Sequence, residues 1–159
     1  MAEDHKERID RETIELLNEL RVILPGVQVL LAFQLSAPFN QRFTQLTNAQ
    51  EGAFFTALVC TAVAVVLLIA PTTYHRLQFR SGDKENLLRL SNVLVIVGTA
   101  FLAVGMTVAI GLVTDLLFGG TWTWVVLAVA AALFAGVWYA IPLSRRLGGK
   151  GIAAQPSGA

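Results

Sequence analysis

Two glutamines inside an apolar run are the first residues here whose chemistry needs an account. Gln28 and Gln34 lie in LRVILPGVQVLLAFQLSAPFNQRF, residues 20–43, together with Pro25, Gly26 and Pro38. A primary amide offers two donors and an acceptor, so each could serve an ion, a water or another helix. Six residues turn a helix by about 240° net, so the two amides do not share a face. We expect one of them toward a helix bundle and the other toward a second interface. Asp115, Glu51 and Arg42, at the ends of apolar runs, complete the candidate polar or ion site. Two readings of these charges stay open. In one, Arg42 pairs with Glu51 or Asp115 and ties the loops together. In the other, Asp115 or Glu51 is where an ion enters.

Other chemistry is sparse. The two histidines, His5 and His75, stand in separate segments, and the single cysteine, Cys60, lies inside an apolar run. That spacing forms no metal-ligand set and allows no intramolecular disulfide, so we expect no metal and no cofactor. Phosphate-loop, dinucleotide-binding and nucleophile-elbow motifs are absent from the sequence. We therefore expect no enzymatic activity. Nucleic acid is not an expected partner either, because the basic residues are few and border the apolar runs.

The elements that would carry these residues follow from composition. Of 159 residues, 55% are hydrophobic and 14% charged, where a soluble domain carries about 25% charged. Four long stretches hold almost no Asp, Glu, Lys or Arg: 22–42 (broken only at Arg42), 52–73, 90–114 and 116–144. About 20 apolar residues span a hydrocarbon core of ~30 Å as a helix. We expect an all-α polytopic membrane protein, an antiparallel four-transmembrane-helix bundle with spans at 22–38, 52–70, 92–117 and 122–143. Pro71 and Pro142 are the expected stops of the second and fourth spans. Pro25 suggests a kink near the start of the first. Gly119-Gly120 reads as a tight hairpin between the last two.

Residues 1–21 read as an amphipathic helix outside the membrane and lack the apolar core of a signal peptide. Arg8/Glu12 and Arg11/Glu15 are opposite charges at i,i+4, and Ile9, Leu16, Leu17 and Leu20 fall on one side. The segment is expected as a solvated extension of the first span, or more sharply as a docking face. Residues 144–159 read as a disordered cytoplasmic tail. Eleven of the twelve Lys and Arg residues flank the apolar runs on one side, and Arg42 alone falls on the other. The positive-inside rule then puts both termini and the loop after residue 70 in the cytoplasm. Tyr74, His75, Arg76, Arg80, Arg145 and Arg146 read as a collar that binds lipid headgroups.

Small residues recur every fourth position: Gly52, Thr56, Cys60 and Ala64; Thr99, Ala103, Thr107 and Gly111; Ala128, Ala132, Gly136 and Ala140. We expect these to be packing faces, with the third and fourth spans tightly paired. The threonines can bond to carbonyls one turn back.

The runs ELRVILPGVQVLLAFQLSAPF (19–39), APTTYHRLQFR (70–80) and TDLLFG (114–119) resemble an uncharacterised family of small four-span actinobacterial membrane proteins. The similarity covers about residues 12–146. Members sometimes carry the label sodium/proton antiporter, and no site residues are assigned to the family. The resemblance implies a bacterial plasma membrane. Two functions stay open. The first is a non-enzymatic module that packs in the bilayer with itself, as a homo-oligomer, or with a larger membrane partner. The second is a small cation or proton transporter using Gln28, Gln34 and Asp115.

Overall fold

The computed structural model describes residues 5–77 and 84–148. Helix α1 (His5–Ser36) leads through two 3-10 turns (Ala37–Phe39 and Gln41–Gln45) into α2 (Asn48–Leu77). Helix α3 (Lys84–Leu117) and α4 (Gly120–Ala135) follow, then a π-helical turn (Gly136–Ala140) and α5 (Ile141–Gly148). The fold is all-α, and no strand occurs among the described residues. Among the described residues, four helical stretches are long and apolar enough to cross a membrane. Two compact units divide the chain between Ala109 and Ile110, and α3 contributes to both.

The solvent of these helices follows from what they expose. Only 6–22% of each helix's most apolar window is buried inside the chain. Val22, Phe33 and Val66 stand 80%, 72% and 67% exposed. Water does not tolerate apolar patches on that scale, whereas hydrocarbon does. In lipid no hydrophobic force draws helices together, so shape and close contact must hold them.

In the first unit, Leu20 and Val27 of α1, Ala64 and Leu68 of α2 and Leu102 of α3 form one buried core. The buried face of α2 is Ala57, Thr61, Ala64, Leu68 and Pro71, a 4-3-4-3 spacing. This corrects the expected four-residue stripe, of which Ala64 is buried while Gly52 and Thr56 are exposed. Four residues advance a helix by ~400°, so a strict four-step row drifts ~40° per turn. After three steps it has left the face it began on. Alternating steps of three and four cancel that drift.

Helix α3 meets this face with two glycines. A Cβ on Gly98 would lie 3.1 Å from Leu68 Cγ and 3.2 Å from Leu67 Cβ. On Gly105 it would lie 2.8 Å from Thr61 Oγ1 and 3.2 Å from the Ala57 carbonyl oxygen. The Thr61 hydroxyl is fixed there, fully buried and donating to the Ala57 carbonyl at 2.9 Å. Rising numbers on α3 meet falling numbers on α2, so the pair is antiparallel. Thr56, Thr107 and Thr114 likewise donate to carbonyls four residues back.

The second unit is a hairpin. Gly111 packs against the Leu127 side chain of α4, and Ala130 is buried. Gly119 and Gly120 adopt φ of 63° and 60°, a region that costs side-chain-bearing residues, and they close α3. Thr123 Oγ1 donates to Asp115 Oδ1 at 3.1 Å across the turn. Phe134 and Trp138 meet edge to face with centroids 5.0 Å apart. The expected α4 stripe is corrected too. Ala128, Ala132 and Ala140 are exposed, and no atom lies within 4 Å of a Cβ built on Gly136.

Helix ends depart from the expected stops for identifiable reasons. Helix α1 is continuous through Pro25 and has 32 residues, about 48 Å, longer than a ~30 Å hydrocarbon core. Its amphipathic part is thus one helix with the first span. Ile9 and Leu20 are buried and Leu16 and Leu17 half-buried, so the apolar side is covered within the unit. Arg8–Glu12 at 3.7 Å and Arg11–Glu15 at 3.4 Å pair on the exposed side. Helix α2 passes through Pro71 to Leu77 rather than stopping there. The ring is fully buried, so tertiary packing holds a helix that local chemistry would weaken. Its start, missed in the sequence, is a reciprocal capping box. The Thr47 N–H donates to Gln50 Oε1 at 3.0 Å and the Gln50 N–H to Thr47 Oγ1 at 3.3 Å. Before Pro142 the chain widens into the π turn, where the Ile141 N–H donates to the Gly136 carbonyl. Proline supplies no N–H and crowds the turn before it, and such a bulge re-routes the bonds. Helix α5 then runs to Gly148, into the stretch expected as tail. Residues 149–159 lie outside the described residues.

Gly105→Leu should lower stability by about 1–3 kcal/mol or more through overpacking at Thr61. Gly26→Ala, with nothing within 4 Å of the added carbon, should be neutral or stabilise by up to ~1 kcal/mol. Unfolding of the detergent-solubilised protein followed by circular dichroism separates the two.

Candidate functional site

The structure sorts the candidate polar residues by burial. On α1, Leu20, Val27 and Gln34 recur every seven residues and all three are buried. The heptad that builds the packing face therefore carries Gln34 into it. Gln28, two-thirds of a turn round, is exposed. Of the two amides expected to part, Gln34 is the one enclosed in the first unit and Gln28 the one left exposed.

Gln34 is 7% exposed, and neither its Nε2 nor its Oε1 bonds to any protein group. A buried donor or acceptor left unmade costs about 1–3 kcal/mol. The packing face thus encloses a polar group whose hydrogen bonds are unmade. Because it makes no bond to Gln28 or Glu51, these three do not form a polar network.

Glu51 is exposed in the first turn of α2, where a carboxylate favours the helix dipole. Asp115, half-buried, accepts the Thr123 hydroxyl in the second unit. That contact is a tie across the α3–α4 turn, made by a hydroxyl. The side chain of Arg42 falls outside the described residues. Among the described residues no group of three or more His, Cys, Asp or Glu converges.

Of the collar, Tyr74, Arg76 and Arg145 are exposed and His75 half-buried. Arg80 lies outside the described residues, as does the side chain of Arg146. The phenylalanines near the first turn divide. Phe43 and Phe54 meet edge to face at 4.9 Å and brace the turn. Phe39 and Phe55 remain 90% and 64% exposed.

Sequence reasoning missed Thr61, Gly98 and Gly105, where α2 and α3 come close in the first unit. The signal was present as the 4-3-4-3 row on α2, but four-residue rows nearby obscured it.

The family model described as "Family of unknown function (DUF6328)" matches residues 2–142. No curated protein and no solved structure matches the chain.

Replacing Gln34 with leucine should stabilise the fold by about 1–2 kcal/mol, since it removes two unmade bonds and keeps the volume. A denaturant titration in detergent checks this. A loss of stability would mean that the amide holds a ligand or water.

Proposed function

We propose, for a chain that belongs to the DUF6328 family of unknown function, a non-enzymatic membrane module whose work is helix packing and association. It is placed in the bacterial plasma membrane with both termini and the segment around residues 78–83 in the cytoplasm. The charge asymmetry of the sequence supports that orientation. The observation that carries the functional reading is how the membrane-embedded polar groups are used. Thr56, Thr61 and Thr107 bond to their own helix, and the carboxylate of Asp115 sits at a turn, bonded to Thr123. Ion-coupled transport calls for a titratable group in the pathway, normally a carboxylate or imidazole, and the four apolar runs contain no Asp, Glu or His. No enzymatic chemistry, cofactor or nucleic acid enters this reading. The lipid bilayer is its first partner, held at the boundary by exposed Tyr74, Arg76 and Arg145.

A second reading, a small cation or proton transporter, is favoured by one observation. The unbonded amide of Gln34 is a polar group available to a passing ion.

Liposomes holding the purified protein, with internal pH and sodium dyes, should leak no faster than empty liposomes. A flux above that baseline, abolished by Gln34→Leu or Asp115→Asn in folded protein, would replace the first reading with the second. Orientation is open to thiol labelling in a Cys60→Ala background. Asn40→Cys should react with an impermeant maleimide on intact cells, and Ser144→Cys only after lysis.

A further inference from the structure

Gln28 is an amide on the outside of a membrane helix. It lies seven residues beyond Arg21, the last charge before the apolar run, and ten before Pro38. At ~1.5 Å per residue these are about 10 and 15 Å of helix, more than a glutamine side chain can reach. Its amide is exposed, and among the described residues no group hydrogen-bonds it. In hydrocarbon such an amide needs a partner from outside the fold.

The surface around it admits one closely. Pro25 and Ala32, one turn to either side, are exposed and lack long side chains. Arg21 and Leu35 extend the same face and are exposed as well. Pro25 has no N–H to give the Arg21 carbonyl, so an acceptor stands on this face near the amide. Side chains on a helix lean toward its N-terminus, which brings Gln28 toward that acceptor's level.

We propose that the occupant is a second copy of this chain, with two α1 helices crossing at Gln28 in a two-fold symmetric dimer. Copies inserted with one topology run parallel, so a residue at a given depth meets the same residue of its neighbour. Few side chains are complementary to themselves at such a contact. A primary amide is, because it donates and accepts at once. Two Gln28 amides close a mutual pair of hydrogen bonds, with the Arg21 carbonyls as further acceptors. Polar side chains of this type add hydrogen bonds between helices to the packing contacts that hold them together in lipid. Gln34 cannot play this part because it is buried within its own unit. The proposal rests on the reading of the chain as an association module and names its partner.

The test uses the full chain in liposomes at high lipid-to-protein ratio. Cys60 is the single cysteine, so Cys60→Ala gives a thiol-free background. Oxidation of Gln28→Cys should give a reducible dimer. Phe33→Cys, exposed on a different face of α1, should give little. With dye-labelled protein that keeps Cys60→Ala, energy transfer between copies should fall on Gln28→Leu. The loss expected in the association constant is about threefold to twentyfold. Gln28→Asn should keep much of the association. Equal cross-linking at Gln28 and Phe33, or association unchanged in Gln28→Leu, overturns the Gln28 interface while leaving the module reading intact. A chain that stays monomeric and retains no membrane partner after mild solubilisation overturns both. A heterologous protein bound across Gln28→Cys would overturn the second copy as occupant and keep the module.

Discussion

Helix α3 approaches α2 so closely at Gly105 that one added carbon would fall 2.8 Å from the Thr61 hydroxyl oxygen. The rest of the first unit depends on that approach. In water, apolar surface alone would press these helices together. In lipid the tails are as apolar as the side chains, so at this crossing attraction comes from many short contacts. Two glycines seven residues apart let the backbones near each other. The buried Thr61 keeps its hydroxyl satisfied within α2, so the polar atom can be enclosed at no loss of a bond. Leu68, beside Gly98, links the crossing to the core it shares with Leu20, Val27 and Leu102.

That same geometry decides what each polar residue can do. The heptad on α1 that brings Leu20 and Val27 inward brings Gln34 inward as well, where both ends of its amide are unmade. Gln28 is turned outward by the same rotation. One sequence feature, a pair of amides in a span, becomes two unlike physical situations. The first is an internal strain on stability, and the second an unmet demand on the surroundings. Asp115, which could have served as an ion site, is engaged by Thr123 across the glycine turn.

Three prolines test how far local rules reach. Pro25 and Pro71 each sit inside a continuous helix. Pro142 follows a π turn that absorbs its missing donor. A proline removes one bond and crowds one carbonyl, a cost of a few kcal/mol. Packing around Pro71, fully buried, is enough to keep the helix going. Before Pro142 the backbone changes its winding instead.

The sequence by itself determined the fold class, the number of helices long enough to span, the glycine hairpin and the threonine back-bonds. Those depend on length, on apolar content and on residues within one turn of each other, all of which are local. It also determined that Gln28 and Gln34 must part, because helical rotation is fixed. What only the tertiary structure decided is which amide is buried, which small residues touch and whether a proline ends a helix. A four-residue row and a 4-3-4-3 row share their first step, after which the four-residue row drifts ~40° with each turn while the other nearly keeps its face. Only a neighbouring helix, pressed against one of them, selects the row that stays straight.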